Sequence, residues 1–373
     1  MDFSFSEEQT LLRNSLARYL ADEYGFEARR EFVRAGDGRD PRHWRQFADL
    51  GLMAAPLPEA CGGLGGGPVE SMVIAEEFGK ALVIEPYVST AILAGGLIAR
   101  AGSEAQKRQW LSKIAAGETI VAAALAEPAG RYNLADVRTT ARKQGASTVL
   151  NGHKTVVLGA PWADALLVTA RTSGGPREEN GIGVFLVDKR AKGVAARDYP
   201  TVDGSRASEI ALENVEVPAE RLIGAADGGH ALIEQACDEA IAAHCAEAVG
   251  CMRVLLDATV RYSKTRKQFG QPIGKFQVLQ HRMADMFVAL EQSVSATLMA
   301  TLKLAGPERH KAVSAAKVQI GKAGRFVGQQ AIQIHGGMGM TDELNVGHYF
   351  KRLTMIDTLY GNVDYHLKRF AEP

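Results

Sequence analysis

The sequence has no surplus of charge. Its 373 residues carry 43 Lys+Arg against 43 Asp+Glu, a formal net charge of +0, so neither nucleic acid nor an anionic membrane surface is expected as a partner. Long apolar runs are also missing. No uncharged stretch approaches the ~18–20 residues that span a bilayer, and the longest suspect, Val121–Ala126, is strand-sized. The opening MDFSFSEEQTLLRNSL has acids early and no basic start leading into an apolar stretch, so no secretory signal is expected there. Cysteine is scarce. The four cysteines, at 61, 237, 245 and 251, form no CxxC pair and no zinc spacing. Three lie in one apolar helical stretch, where buried thiols are common, and a reducing, cytosolic setting is expected.

What is present is ordinary for a soluble globular protein, with 46% hydrophobic and 23% charged residues. The chain exceeds the roughly 250–300 residues at which single cores stop growing, so two or three domains are expected. Residues 1–118 read as helical. Ser6 with Gln9 makes a capping box, followed by a stripe of Leu11, Leu12, Ser15, Leu16, Tyr19 and Leu20. The glycines of Gly63–Pro68 read as a loop before the next helix; they lack the Lys-Ser/Thr of a phosphate-binding loop. Residues 119–226 change character. TIVAAALAE, TVLNGHKTVVLG, DALLVTART and GIGVFLVD are short β-type runs, and Asn151-Gly152 predicts a hairpin turn. Strands without helices between them argue for an antiparallel sandwich or barrel. Residues 227–373 return to helix, with predicted spans His230–Arg266, Gln277–Leu304 and one from Pro307 to about Ile334. These are apolar on more than one face, which calls for a bundle and for an oligomer. The whole is an α+β arrangement: an N-terminal helical domain, a middle antiparallel β domain and a C-terminal four-helix bundle.

Two segments carry chemistry, TRKQFGQPIGKFQVLQH at 265–281 and QIHGGMGMTDELNVGHYFKR at 333–352. Each sets polar donors beside glycines at a helix end or turn, the arrangement that brings backbone amides and an arginine up to a phosphate. Together they resemble the acyl-CoA dehydrogenase family, and the helix–β–helix organisation agrees with it along the whole chain. DEAIAAHCAEAVG and VGHYFKRLTMIDTLYG are similar to the small-subunit type of pimeloyl-CoA dehydrogenase. The resemblance implies FAD-dependent α,β-dehydrogenation of an acyl-CoA thioester. A carboxylate takes the α-proton, the β-hydrogen leaves as hydride to the flavin, and an electron-transfer flavoprotein accepts the electrons. It further implies that FAD is shared between subunits. Arg266, Gln268 and Phe269 would meet the pyrophosphate and ribityl region, and Gln333, Gly336 and Gly337 the adenosine end.

Two departures stand beside these matches. Where the family sets flavin contacts in the β domain, this chain has Ala126, Val156 and Leu158. Side chains that would stack on or hydrogen-bond the ring are thus small or aliphatic, leaving backbone amides as an alternative. The family's carboxylate turn, Tyr-Glu-Gly-Thr, falls on Tyr360-Gly361-Asn362-Val363, with Gly361 in the glutamate's place. The alternative base position on the helix before Arg266 falls on Ala240, between the weak candidates Glu239 and Asp238 and the rest of the helix; a step of ~100° per residue turns both acids away from that direction. Asp357 and Asp364 read as solvated or structural, and His335 and His366 as structural. Arg131, in the unusual RYNLADV stretch, is a guess for a cation that would hold a dicarboxylyl substrate's far end. One expectation unites these features: a subunit that donates half of an FAD site to a neighbour, lacks the other half and the base, and completes an α2β2 hetero-oligomer with a paralogous large subunit. A self-sufficient homo-oligomer using Glu239, or a non-catalytic CoA-ester-binding paralogue, is the alternative.

Overall fold

The computed structural model describes residues 4–372, whose contacts gather into two compact units. The first unit holds the residues up to Glu31, Pro68–Val83, and the chain from Ile241 on. Its helices are α1 (Glu7–Glu23), α2 (Pro68–Ala81), the greater part of α3 (Gly229–Thr265), α4 (Gln277–Lys303), α5 (Arg309–His335), α6 (Asn345–Thr358) and α7 (Val363–Ala371). The three long spans fall close to where the apolar pattern puts them, and α3 runs without a break. The Ser6 capping box forms, with Gln9 N–H donating to Ser6 Oγ and Ser6 N–H to Gln9 Oε1. The stripe on α1 is narrower than expected: Leu16 and Leu20 are buried while Leu11 is 65% exposed. Pro68 opens α2 directly after the glycine run, as suits a residue without a backbone N–H. The bundle core is built from aliphatic and small residues of α3, α4, α5 and α6, among them Cys245, Met252, Leu255, Leu290, Val313, Ile320, Val327 and Leu353.

The second unit, Phe32–Gly67 with Ile84–Ala240, carries the sheet. Its strands are β1 (Val121–Ala124), β2 (Thr140–Gln144), β3 (Ser147–Leu158), β4 (Ala165–Arg171), β5 (Ile182–Asp188), β6 (Val194–Pro200), β7 (Arg206–Pro218) and β8 (Leu222–Ile223). The order is β6-β7-β3-β2-β4-β5-β8, with β1 paired to β4. Most pairings are antiparallel, but β1 lies parallel to β4, and β2 meets β4 in a parallel bridge at Thr140–Arg171. The sheet is therefore mixed. Every residue of β4 is buried, and its run opens on four apolar residues, 165–168, rather than alternating, before the buried Thr169 and Arg171.

Asn151-Gly152 does not turn the chain. Both sit inside β3, where the register against β7 slips between Leu150 and Gly152. The hairpin turn is Gly145-Ala146, between β2 and β3, with Gly145 at φ +61°. A Cβ on Gly152 would come within 2.3 Å of Thr139 Oγ1, so the glycine there permits a close strand approach. A second slip, between Lys154 and Val157, puts Val156 at φ +52°, a conformation that costs a β-branched residue dearly.

Beneath that bulge lies a buried ion pair. Lys154, 0% exposed, donates to Glu127 Oε1 at 2.7 Å and to Thr169 Oγ1 at 2.8 Å. Glu127 also accepts the backbone N–H groups of Arg138 (2.8 Å) and Thr139 (3.0 Å). Burial pushes the Lys154 ammonium down to about 8, against the pull of Glu127. Burial alone would raise Glu127, but the Lys154 charge and these hydrogen bonds hold it below its ordinary value.

Candidate functional site

The two glycine-bearing segments, some 70 positions apart in sequence, meet at one end of the bundle in the first unit. Helix α3 stops at Thr265 and the chain folds into the small hairpin β9 (Lys267–Gln268) and β10 (Gln271–Pro272). Phe269 and Gly270 turn it with φ +51° and +78°. Two consecutive positive φ values suit a type I′ turn, yet the first position holds phenylalanine, 92% exposed. Helix α5 stops at His335, and Tyr262 of α3 stacks on it, ring centroids 4.4 Å apart at 29°. That contact joins the root of the hairpin to the Gly336-Gly337 turn.

Arg266, Gln268, Phe269, Gln333, Gly336 and Gly337 are all exposed. The side chains of Arg266 and Gln333 have no hydrogen-bond partner among the described residues, and Gln268 bonds only its neighbour's carbonyl, Lys267 O at 2.7 Å. A Cβ added at Gly336 or Gly337 would meet nothing within 4 Å. Free donors, bare backbone and an outward-facing ring suit a phosphate-bearing ligand brought from outside the unit. In the second unit the other expected segment is also assembled: Thr155 N–H donates to Ala126 O at 2.9 Å, next to Val156. Ala126 and Val156 are exposed and Leu158 half-buried, so these three positions offer an aliphatic surface with no side chain that stacks on a ring or bonds it.

The turn after α6 is held by two basic side chains. Lys317 of α5, 0% exposed, donates to Asp357 O (2.9 Å), Leu359 O (2.8 Å) and Gly361 O (2.6 Å). Three donors meet three carbonyls, which satisfies the ammonium completely, although burial pushes it down to about 8. His366 of α7 bonds Tyr360 O through Nε2 at 3.1 Å and faces Ser314 Oγ through Nδ1 at 3.2 Å. A carbonyl only accepts, so Nε2 carries the proton and Nδ1 accepts from serine. Asn362 caps α7, accepting from Tyr365 N–H at 3.0 Å. Gly361 itself has φ +115°, and a Cβ there would fall 2.3 Å from Tyr365 Cδ1 and 2.8 Å from His366 Nε2. The position is built for glycine.

His366 gives this turn an acid limit. Burial lowers its pKa from 6.5 to about 3. The unfolded chain therefore takes up a proton below pH 6.5 that the folded chain refuses. Stability on this account is full above that pH and falls by up to about 1.4 kcal/mol per pH unit until pH nears 3. His366→Gln should flatten the urea midpoint between pH 6.5 and 4 relative to the parent protein; identical pH slopes would contradict the assignment.

Glu239 lies in the second unit, and Arg100 Nη1 donates to both its oxygens at 2.6 and 2.9 Å. Asp238 and Ala240 are 0% exposed. Asp357 pairs with Arg325 at 3.1 Å, Asp364 is an exposed acid in the first turn of α7, and His335 bonds Ala331 O at 2.8 Å. Arg131 sits at φ +49° in an exposed turn.

A group that pattern reading passed over lies on α3. His244 is 5% and Glu247 4% exposed. His244 Nδ1 is 2.9 Å from Glu247 Oε2, and Arg352 of α6 donates Nε (2.5 Å) and Nη2 (2.8 Å) to the same carboxylate. Burial would raise Glu247, but the Arg352 charge and the His244 and Arg352 hydrogen bonds reverse that and hold it at about 2. Burial lowers His244 below its ordinary value despite Glu247. The spacing 244–247–352 follows no familiar motif; the stretches DEAIAAHCAEAVG and VGHYFKRLTMIDTLYG that hold the three residues stood out only as similar to a subgroup.

Among the described residues no helix is long and apolar enough to cross a membrane and no His/Cys/Asp/Glu group could hold a metal ion. The chain matches the acyl-CoA dehydrogenase N-terminal domain over residues 6–118, the middle domain over 122–215 and the C-terminal domain over 227–372. It is 32% identical over 352 residues to the probable acyl-CoA dehydrogenase YngJ of Bacillus subtilis, covering 93% of this chain and 92% of that protein. Among solved structures, one chain of the ChsE4-ChsE5 complex from Mycobacterium tuberculosis is similar with a TM-score of 0.91 at 26% identity, covering 100% of both chains. The FAD complex of PigA gives a TM-score of 0.92 at 25% identity, covering 100% of this chain and 98% of that one. With all three domains matched in order and a full-length relative above 30% identity, the chain belongs to the acyl-CoA dehydrogenase family.

Proposed function

We propose that this chain is the carboxylate-lacking subunit of a hetero-oligomeric acyl-CoA dehydrogenase, and that it completes the FAD site of a paralogous partner. The coarser activity follows from the family: an oxidoreductase acting on the CH–CH bond of an acyl-CoA thioester, with FAD as cofactor. FAD, when bound, supplies the oxidation. This chain's residues supply its grip, with Arg266 toward the pyrophosphate and Gln333, Gly336 and Gly337 toward the adenosine end.

The observation that carries the reading is the exposed set Arg266, Gln268, Phe269 and Gln333 at one end of the bundle in the first unit, taken together with three aliphatic positions of the second unit where ring contacts are expected. The similarity to a chain of a two-protein complex supports a heteromer. The bidentate Arg100–Glu239 pair counts against a homomer using Glu239 as base. A dicarboxylyl thioester such as pimeloyl-CoA is the substrate class to try first, and an electron-transfer flavoprotein the acceptor.

The test is purification of the chain alone and with a paralogous family member, read at 450 nm and with an acyl-CoA panel. A yellow, fully active homo-oligomer overturns the heteromer reading. In the coloured complex, Arg266→Gln should weaken FAD about 10- to 100-fold, the worth of a charge-assisted phosphate contact. Unchanged FAD retention would remove Arg266 from the site.

A further inference from the structure

The carboxylate is missing from the turn at Gly361, yet the neighbouring space is not without a proton acceptor. Tyr360 and His244 lie side by side, ring centroids 5.9 Å apart and 26° between planes. His244 is also one helical turn beyond Ala240, the other position where the family resemblance sets a base. Four residues advance an α-helix by about 400°, so 240 and 244 share a face. His244 thus lies against the residue that precedes Gly361 and on the helix face that Ala240 shares.

Its chemistry is set by what holds it. Glu247 is ionised, held so by Arg352, and an ionised carboxylate only accepts. The proton of neutral His244 therefore resides on Nδ1, donated to Glu247 Oε2 at 2.9 Å. Nε2 is left with its lone pair and has no hydrogen-bond partner among the described residues. A carboxylate that fixes the tautomer and offsets the charge of a forming imidazolium is the arrangement by which histidine serves as a general base. His366, by contrast, has both ring nitrogens engaged.

We propose that His244 is the catalytic base of this chain's own acyl site, taking the α-proton of a bound acyl-CoA thioester on Nε2, with Glu247 and Arg352 as positioning residues. The α-C–H bond breaks, the N–H bond forms, and the electron pair stays on the thioester as its enolate. Glu247 then neutralises the imidazolium. The inference rests on the acyl-CoA reading but not on the heteromer. It changes what a partner has to provide: FAD contacts, and no base for this site.

The test separates proton removal from oxidation. The protein as isolated, with its partner if it has one, is mixed in D2O with a 3-thiaacyl-CoA, whose β-sulfur has no hydride to lose. Mass spectrometry follows deuterium entering the α-position, and calorimetry follows thioester binding. The parent protein should exchange, and His244→Gln should slow exchange at least about 100-fold with affinity changed by only a few-fold. A control needs no variant. The exchange rate of the parent should fall with protonation of one group whose pKa drops on warming, as an imidazole's does and a carboxylate's does not. The charged and titratable groups around that imidazole are Glu247 on α3, Lys317 on α5, Arg352 on α6 and Tyr360 on the turn, and none of them reproduces that signature below neutrality. Binding without exchange, exchange that survives in His244→Gln, or a temperature-independent pKa overturns the proposal and leaves the family reading intact. Absence of thioester binding overturns both.

Discussion

Gly361→Ala should destabilise the first unit by about 3–5 kcal/mol. A side chain at φ +115° costs on the order of 1–3 kcal/mol in backbone strain, and a Cβ 2.3 Å from Tyr365 Cδ1 adds an overpacking cost of similar size. Displacing the turn to relieve the clash would pull the Gly361 carbonyl away from Lys317 and leave its ammonium short of a partner. Urea unfolding of the variant gives the number, and a loss under about 1 kcal/mol would show that the turn yields easily. The same geometry bears on Gly361→Glu. Such a variant would rebuild the turn before it presented a carboxylate, so its inactivity would say nothing about a missing base. The imidazole of His244 is the better point of attack.

Lys154→Met should be comparably damaging, about 3–5 kcal/mol, because it strands Glu127 as a buried carboxylate with its cation gone. The outcome that identifies the mechanism is the double variant. Lys154→Met with Glu127→Leu removes both charges, and an ion pair replaced whole by apolar groups is often nearly neutral. Recovery in the double variant will be incomplete, since Glu127 also accepts the N–H groups of Arg138 and Thr139. Losses that simply add would show that the pair does not couple. Thermal unfolding in which the second unit melts early would locate the damage.

The long helices were legible because burial on several faces leaves an unmistakable apolar pattern, and α3, α4 and α5 end within a few residues of their expected limits. The two glycine-bearing segments were legible as motifs because particular residue types stand there in fixed local order, and the structure brings both to one end of the bundle. Asn151-Gly152 misled for the opposite reason. The same dipeptide that suits a two-residue turn also suits a strand bulge, and only the close approach of Thr139 decides between them. The parallel pairing of β1 with β4 is a matter of chain path, which local sequence does not encode. The grouping of His244, Glu247 and Arg352 was not legible, although both stretches that hold them were singled out, because the contact spans 105 positions between Glu247 and Arg352. Nothing local marks Lys317, whose three carbonyl partners lie 40 to 44 residues away.

The four cysteines are all buried and none is disulfide-bonded, and burial pushes the Cys245 thiol up to about 12. Thiols so protonated and enclosed react only when their surroundings open. They are also evenly apportioned, Cys61 and Cys237 in the second unit and Cys245 and Cys251 in the first. The native chain thus carries a built-in pair of clocks. The order in which an alkylating reagent marks the four sites reports which unit opens first, with no label introduced.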